Sequence, residues 1–159
     1  MVAFNIAGPN WSAASKETQM PVRHATANWN GSLKEGSGKM HFADYEGPFT
    51  FGSRFESAAG TNPEELIGAA IAGCFSMALS GDLGAAGYQP DNISTESSVE
   101  VHPKPGGGFA ITKIHLVTKA TVPGIKNDEF QKIAAVTSKN CPVSTALAAV
   151  PITLDAKLT

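Results

Sequence analysis

The stretch "TNPEELIGAAIAGCFSMALSGDLGAAG", residues 61–87, decides how the rest of this 159-residue chain is interpreted. Small and apolar residues fill it almost throughout, which predicts one long helix. Asn62 suits the helix cap, Pro63 the first helical position, and Glu65 completes an N-x-x-E capping pattern. Gly87 is a natural end for the helix, with Gly81 and Gly84 as alternative points at which it could end or bend earlier.

The composition limits the class of protein. Hydrophobic residues make up 42% of the chain and charged residues 16%, so a core can be buried. A net charge of −2 argues against a nucleic-acid partner, which would require a basic surface. We expect no membrane span, because no uninterrupted apolar segment reaches the thickness of a bilayer. The N-terminus lacks a signal-peptide pattern, so we predict a cytoplasmic protein, where structural disulfides are rare.

The order of elements predicts an α+β fold with largely antiparallel sheets. Residues 1–21 are expected to form a polar, turn-rich extension, and residues 22–159 one domain. Strands joined by turns begin at His24, and "GPFTFGSRFE" alternates as a strand with Phe49, Phe51 and Phe55 on one face. After the long helix we predict a hairpin from 92–103 and 109–122, a helix at 127–140 with Asn127 as its cap, a short helix from 141, and a final strand at 151–159.

Cys74 lies near the middle of the long helix, and the segment alone supports two readings. Its neighbours on the same helical face are Ala70, Ile71, Met77 and Ala78. Free cysteine is among the most buried residue types, so inert core is the simpler interpretation. A reactive thiol would also require a positive partner and access to solvent.

Cys141 is the only other cysteine, and it directly precedes Pro142. Proline at the first helical position would make Cys141 the N-cap, where free amide donors and the helix dipole favour a thiolate. The alternative is an incidental position, with Asn140 or Ser138 as the true cap.

Together with Arg54 and Glu65, the two cysteines supply the chemical types that a peroxide-reducing thiol requires. The thiolate needs a cation, the cation needs an orienting carboxylate, and a second thiol must resolve the sulfenic acid. Arginine suits the cation because its guanidinium forks two donors towards a carboxylate and keeps its charge.

The helix geometry constrains this combination. Nine residues turn a helix by about 900°, which leaves Glu65 and Cys74 on opposite faces, about 13 Å apart along the axis. Glu65 therefore has to act through Arg54, from a second subunit, or across a break in the helix. The small residues Gly68, Ala69, Ala72 and Gly73 would let another helix approach closely. We therefore predict a homodimer with sites at the subunit interface.

Several motifs in order resemble the osmotically inducible protein C family, which belongs with the organic hydroperoxide resistance proteins. They are "SRFE", "GTNPEELIGAAIAGCFSMAL", "GFAITKIHLVTKATVPGI", "CPVSTAL" and "ITLDAKL". The resemblance covers residues 22 to 159. It implies an intertwined homodimer in which β-sheets wrap central helices.

The resemblance also implies a thiol-dependent hydroperoxide reductase without haem, flavin or metal. The resemblance implies that Cys74 is the peroxidatic cysteine and that Cys141 is the resolving cysteine. Arg54 supplies the guanidinium and Glu65 its carboxylate partner. The implied cycle passes through a Cys74 sulfenic acid and a Cys74–Cys141 disulfide, which a dithiol reduces; dihydrolipoyl groups on carrier proteins are the implied donors.

Two alternatives stay open. The first is a non-enzymatic dimeric protein that binds a small apolar ligand, with Cys74 merely buried. The second is a structural Cys74–Cys141 disulfide in an exported protein. Under the enzymatic reading, Phe75, Met77 and the strand phenylalanines are candidates for a pocket that holds an alkyl tail.

Overall fold

The strands within residues 20–159 form two three-stranded sheets, and four helices connect or flank them. A computed structural model describes residues 20–159, so the proposed extension at 1–21 lies almost wholly outside the described residues. The elements are β1 Ala25–Asn30, β2 Ser37–Phe42, β3 Tyr45–Thr50, α1 Phe51–Phe55, α2 Pro63–Ala85, β4 Asn92–Pro103, β5 Phe109–Thr121, α3 Asn127–Asn140, α4 Pro142–Ala146 and β6 Ile152–Leu158.

The described residues group into two compact units, 20–67 and 68–159. The first unit holds the antiparallel sheet β1-β2-β3, followed by α1 and the first turn of α2. The second holds the sheet β4-β5-β6, in which β4 and β5 form the predicted antiparallel hairpin and β6 runs parallel to β5. The predicted α+β class with largely antiparallel sheets is confirmed.

The prediction of one strand through "GPFTFGSRFE" was wrong after Thr50. The Thr50 side chain accepts the Ser53 backbone N–H at 3.0 Å, and Ser53 Oγ accepts the Thr50 N–H at 2.9 Å. This capping box starts α1 directly after β3 and overrides the alternating pattern. Phe51 and Phe55 consequently lie one helical turn apart, with ring centroids separated by 5.0 Å.

Helix α2 begins and ends where the sequence predicted. Asn62 Oδ1 accepts the Glu65 backbone N–H at 2.8 Å, as the capping pattern requires. Gly87 ends the helix with a positive φ of 90°, which glycine adopts without a Cβ clash. The Tyr88 N–H then donates to the Leu83 carbonyl at 2.9 Å, which closes a Schellman-type end.

One face of α2 forms the core of residues 68–159. Ile71, Phe75, Leu79 and Leu83 follow one another at four-residue spacing and are fully buried. Ser76 on an adjoining face donates to Thr95 of β4 at 2.8 Å. Gly68 also faces β4, because a Cβ placed there would lie 2.7 Å from Ser97 Oγ. The sequence reading that Gly68 admits another helix is therefore corrected: it admits the sheet.

The opposite face of α2 is apolar and exposed. Met77 is 79% exposed, and a Cβ added at Gly73, Gly81 or Gly84 would meet nothing within 4 Å. By length and composition α2 is also the one helix among the described residues that could cross a membrane. Its buried face and its hydrogen bond to Thr95 show that it is packed here as the core helix of residues 68–159.

The boundaries of α3 match the predicted residues 127–140. The predicted cap at Asn127 was wrong, because Lys126 occupies the N-cap without a side-chain hydrogen bond. Phe130, Ile133, Ala134 and Thr137 form the buried face of this helix. Cys141 directly follows the C-terminal end of α3 and is its C-cap.

Candidate active site

Cys74 and Cys141 come together although 67 residues separate them. Their Sγ atoms lie 3.3 Å apart, and both cysteines are free thiols. Cys74 is half-buried in the middle of α2, whereas Cys141 is only 1% exposed. A disulfide would need the sulfur atoms to approach by only about 1.3 Å, since the S–S bond is about 2.05 Å long.

Cys141 occupies the junction between α3 and α4. Its backbone N–H donates to the Thr137 carbonyl at 2.9 Å, which ends α3, and Pro142 then occupies the first turn of α4. The Cys141 sulfur accepts the Ser144 backbone N–H at 3.5 Å and the Ser144 hydroxyl at 3.4 Å. The sequence prediction that Cys141 caps this helix is confirmed.

The surroundings of the two thiols shift their pKa values in opposite directions. Burial is the main cause that raises the pKa of Cys74, and the neighbouring Cys141 raises it further. Burial would also raise the pKa of Cys141, but the Ser144 hydroxyl and N–H donors outweigh it and lower this pKa below its ordinary value. Burial therefore disfavours a negative charge on Cys74, and the Ser144 donors favour one on Cys141.

Residues 20–67 contain a pair of oppositely charged side chains at the place where α1 meets the start of α2. We call this place the α1–α2 corner. Arg54 donates to Glu64 through both Nη2, at 2.7 Å, and Nε, at 3.1 Å. This fork-to-carboxylate arrangement fixes the plane of the guanidinium. The Glu64 side chain is 10% exposed and that of Arg54 37% exposed, so the pair is partly shielded from water.

The carboxylate that pairs with Arg54 is thus Glu64 and not the predicted Glu65. Glu65 instead accepts the Thr61 hydroxyl at 3.3 Å, while its N–H binds the capping Asn62. Adjacent helical residues point about 100° apart, so only one of the two glutamates can face Arg54. The Asn62 cap on the Glu65 N–H is confirmed, but the Glu65 side chain bonds the Thr61 hydroxyl, and its predicted pairing with Arg54 was wrong.

Comparison with known proteins assigns the chain to a family. The model of the OsmC-like protein family matches residues 56–155. The chain belongs to this family. Peroxiredoxin OsmC of Escherichia coli (strain K12) is 47% identical over 83% of this chain and 93% of its own length. The organic hydroperoxide resistance protein of Xanthomonas axonopodis pv. citri (strain 306) is 30% identical over 84% of this chain and 91% of its own.

A solved structure supports the fold. The OsmC-like protein from Mycoplasma pneumoniae superposes with a TM-score of 0.69 over 88% of this chain and 99% of its own, at 17% sequence identity. The OsmC-like fold is therefore retained where little sequence similarity remains. This likeness bears on the arrangement of helices and strands alone.

Ser144, which bonds the Cys141 sulfur, and Glu64, which pairs with Arg54, are polar residues that the sequence analysis did not single out. A signal for Ser144 was available, because the third residue of a helix often bonds its N-cap and Ser144 follows Cys141 by three. For Glu64 no such signal existed. The pattern "NPEEL" offers two adjacent glutamates, and it assigns the capping role to the second.

The predicted alkyl-tail pocket is corrected in part. Phe75 is fully buried in the core, so it offers no surface to a substrate. Met77 lies on the exposed face of α2, and Phe49 packs on Trp29 with ring centroids 5.2 Å apart.

Other candidate binding features are few in the described part of the chain. Within residues 20–159, no three His, Cys, Asp or Glu side chains cluster closely enough to hold a metal ion. An open cavity of about 640 Å³ lies on the β1–β3 sheet and is lined in part by Lys39, His41, Glu46 and Phe49. Lys39 and Glu46 form an ion pair at 2.7 Å, so this lining does not match the small apolar ligand of the alternative reading.

Proposed function

We propose that the protein is a thiol peroxidase that reduces organic hydroperoxides, and less readily hydrogen peroxide, to alcohols or water in oxidative and osmotic stress defence. The 3.3 Å separation of the Cys74 and Cys141 sulfur atoms carries this proposal. The names of the relatives, peroxiredoxin and organic hydroperoxide resistance protein, support it.

The proposed first step is attack by the Cys74 thiolate on the outer oxygen of ROOH. The O–O bond breaks, the alkoxide takes up a proton and leaves as ROH, and Cys74 becomes a sulfenic acid. Cys74 suits the nucleophile because it is the more exposed of the two thiols. Peroxide is reduced by two electrons, and the sulfur is oxidised by two.

The second step is condensation. The Cys141 sulfur attacks the Cys74 sulfenic acid, a Cys74–Cys141 disulfide forms, and water leaves. The proximity of the two sulfur atoms supports this role for Cys141. An external dithiol then reduces the disulfide. We propose dihydrolipoyl groups as the physiological donor, with no haem, flavin or metal required, in the cytoplasm.

Arg54 is the proposed source of the positive charge that the Cys74 thiolate requires. Burial raises the pKa of Cys74, so without a cation this thiol would stay protonated at neutral pH. The two-pronged bond to Glu64 supports a positioning role for that carboxylate, because it leaves the guanidinium charged and oriented. We therefore propose Glu64, in place of Glu65, as the partner of Arg54.

We also propose an intertwined homodimer. The exposed apolar face of α2, with Met77 and the open positions of Gly73 and Gly81, supports this assembly, since monomers rarely expose such a face. The small residues would let a helix of the second copy approach closely. A solution mass that corresponds to a fully active monomer would contradict this part of the proposal.

The decisive test mixes the reduced protein with excess cumene hydroperoxide and follows thiols and peroxide together. We expect rapid loss of both thiols in the wild type and sustained turnover once a dithiol is supplied. Cys74→Ser should show no turnover. Equal and slow peroxide consumption by both proteins would refute the proposal and favour the non-enzymatic ligand-binding module.

A further inference from the structure

The Cys141 Sγ lies against two donors of Ser144, whereas the groups that bond the Cys74 Sγ are the Val143 backbone and the Cys141 thiol. Ser144 directs both its hydroxyl and its backbone N–H at the Cys141 Sγ, at 3.4 and 3.5 Å. Ser144 is itself only 3% exposed, so water competes little for these hydrogen bonds. The chemistry proposed above uses Cys141 as an attacking thiol and gives Ser144 no part.

We propose that Ser144 is a catalytic residue of the reductive half of the cycle, where it makes the Cys141 sulfur the leaving thiolate. This inference rests on the proposed function, because it concerns the disulfide which that function forms. It assigns a direction to thiol–disulfide exchange: the reductant attacks Cys74, and Cys141 departs.

A thiolate of the external dithiol attacks Cys74 Sγ, the Cys74–Cys141 bond breaks, and its electron pair goes to Cys141 Sγ. The Ser144 hydroxyl and N–H donate to the negative charge as it develops. The second thiol of the dithiol then displaces Cys74 from the mixed disulfide, and the oxidised cyclic dithiol leaves with two electrons fewer.

Geometry keeps Ser144 in place through this step. Ser144 lies in the first turn of α4, three residues after Cys141, so its donors move together with that sulfur when the disulfide closes. The alternative direction, attack on Cys141, is disfavoured because that residue is almost fully buried while Cys74 is half-exposed. Exchange rates depend on which sulfur is accessible and rise as the pKa of the leaving thiol falls.

The directions in which the pKa values of Cys74 and Cys141 are shifted in the reduced protein agree with this assignment. Burial would raise the pKa of Cys141, but hydrogen bonds from Ser144 hold it below the ordinary value. Burial and the neighbouring Cys141 raise the pKa of Cys74. Negative charge is therefore better tolerated on Cys141 than on Cys74. A leaving group requires the same property.

The test compares Ser144→Ala with the wild type after the disulfide has been formed with diamide, so that peroxide reactivity plays no part. We expect dithiothreitol to reduce the disulfide roughly 10-fold more slowly in the variant, since a hydrogen bond to a charged group is lost. The ultraviolet thiolate titration of Cys141 should move to higher pH. The reduction potential of the disulfide should become more negative when it is measured at a pH at which Cys141 is ionised in the wild type. The expected shift is about 30 mV for each tenfold change in the equilibrium constant of thiol–disulfide exchange.

Two variants control the experiment. Ser138→Ala removes a hydroxyl three residues before Cys141 that donates to the Ala135 carbonyl, and it should leave rate and titration unchanged. Ser144→Thr restores a hydroxyl and should recover the rate. A purely structural role for Ser144 would shift thermal stability but not the titration of Cys141.

Glutathione provides a direct readout of the attacked sulfur. When it reduces the diamide-formed disulfide and the reaction is quenched by alkylation, peptide mass analysis should locate the mixed disulfide on Cys74. A mixed disulfide on Cys141, or unchanged reduction and titration in Ser144→Ala, would overturn the inference. If the disulfide behaves as expected but peroxide is not consumed, the proposed function fails while the role of Ser144 stands.

Discussion

The α1–α2 corner and the α3–α4 junction each fix polar side chains in place, but by different means. At the corner, two opposite full charges meet, with Arg54 and Glu64 ten residues apart in sequence. At the junction, neutral thiols and hydroxyls meet, and the backbone geometry of two abutting helices places Cys141. At the corner, opposite charge determines which side chains pair. At the junction, the geometry of the two helix ends determines which groups meet.

This difference predicts how each region fails. Removing a charge at the corner leaves its partner ion partly buried without compensation, which is costly. Removing a group at the junction leaves the fold intact and changes where a proton resides. Substitutions at the junction should therefore alter individual steps of the cycle, whereas those at the corner should lower the overall rate.

The largest effect is expected for Cys141→Ser. This variant retains the half-exposed Cys74, so it should consume about one peroxide per site and then stop or over-oxidise, because no second thiol resolves the sulfenic acid. The measurement is the stoichiometry of peroxide loss, with mass analysis of Cys74. Continued turnover with dithiothreitol alone would mean that Cys141 is dispensable for resolution.

At the corner, two adjacent glutamates provide a matched comparison. Glu64→Gln should lower kcat/KM for cumene hydroperoxide about 10-fold, because charge-assisted hydrogen bonds of roughly 1.5–3 kcal/mol orient Arg54. Glu65→Gln should change it less than about 2-fold, since Glu65 bonds only Thr61 through its side chain and keeps its capping N–H.

The opposite order of effects would contradict the assignment of Glu64 as the partner of Arg54. If Glu65→Gln were the more damaging change, the Arg54–Glu64 pair would be incidental and the carboxylate implied by the sequence motif would be the active one. Glu64→Asp offers a further check, because it keeps the charge but shortens the reach to Arg54. It should fall between the wild type and Glu64→Gln.

The same two regions show how far sequence alone predicts this molecule. Helix ends were predictable, because Asn62, Gly87 and the Cys141-Pro142 pair carry local signals that act within a few residues. The exceptions were the start of α1, where the alternation of phenylalanines concealed the Thr50–Ser53 capping box, and the N-cap of α3, which is Lys126 and not the predicted Asn127. Two side chains can cap a helix where no proline or glycine marks its start in the sequence.

Contacts between distant residues were less predictable. Periodicity could not tell which of two neighbouring glutamates faces Arg54, because that depends on the angle between α1 and α2. Nor could it show that Gly68 abuts Ser97 of the sheet, since a small residue admits a strand as readily as a helix. The proximity of Cys74 and Cys141 was implied only by family resemblance, and in the structure their Sγ atoms lie 3.3 Å apart.

The smallest effect concerns the support of the junction by Thr137. Its hydroxyl donates to Asp82 Oδ2 of α2 at 2.5 Å and lies 2.9 Å from the Ile133 carbonyl, while its own carbonyl accepts the Cys141 N–H. Thr137→Val keeps the shape of this 1% exposed side chain but deprives the half-buried Asp82 of its donor. We expect the free energy of unfolding to fall by about 1–3 kcal/mol in urea denaturation of the reduced protein.

Thr137→Ser is the matched control, because it restores the hydroxyl and removes only a methyl group. Its loss should be smaller, about 1 kcal/mol from the deleted methyl. If α3 is tied to α2 through this hydroxyl, Thr137→Val should also slow diamide-driven closure of the Cys74–Cys141 disulfide, and Thr137→Ser should not. Equal closure rates in both variants would mean that helix capping alone places Cys141, which would sharpen the contrast with the charge-held corner.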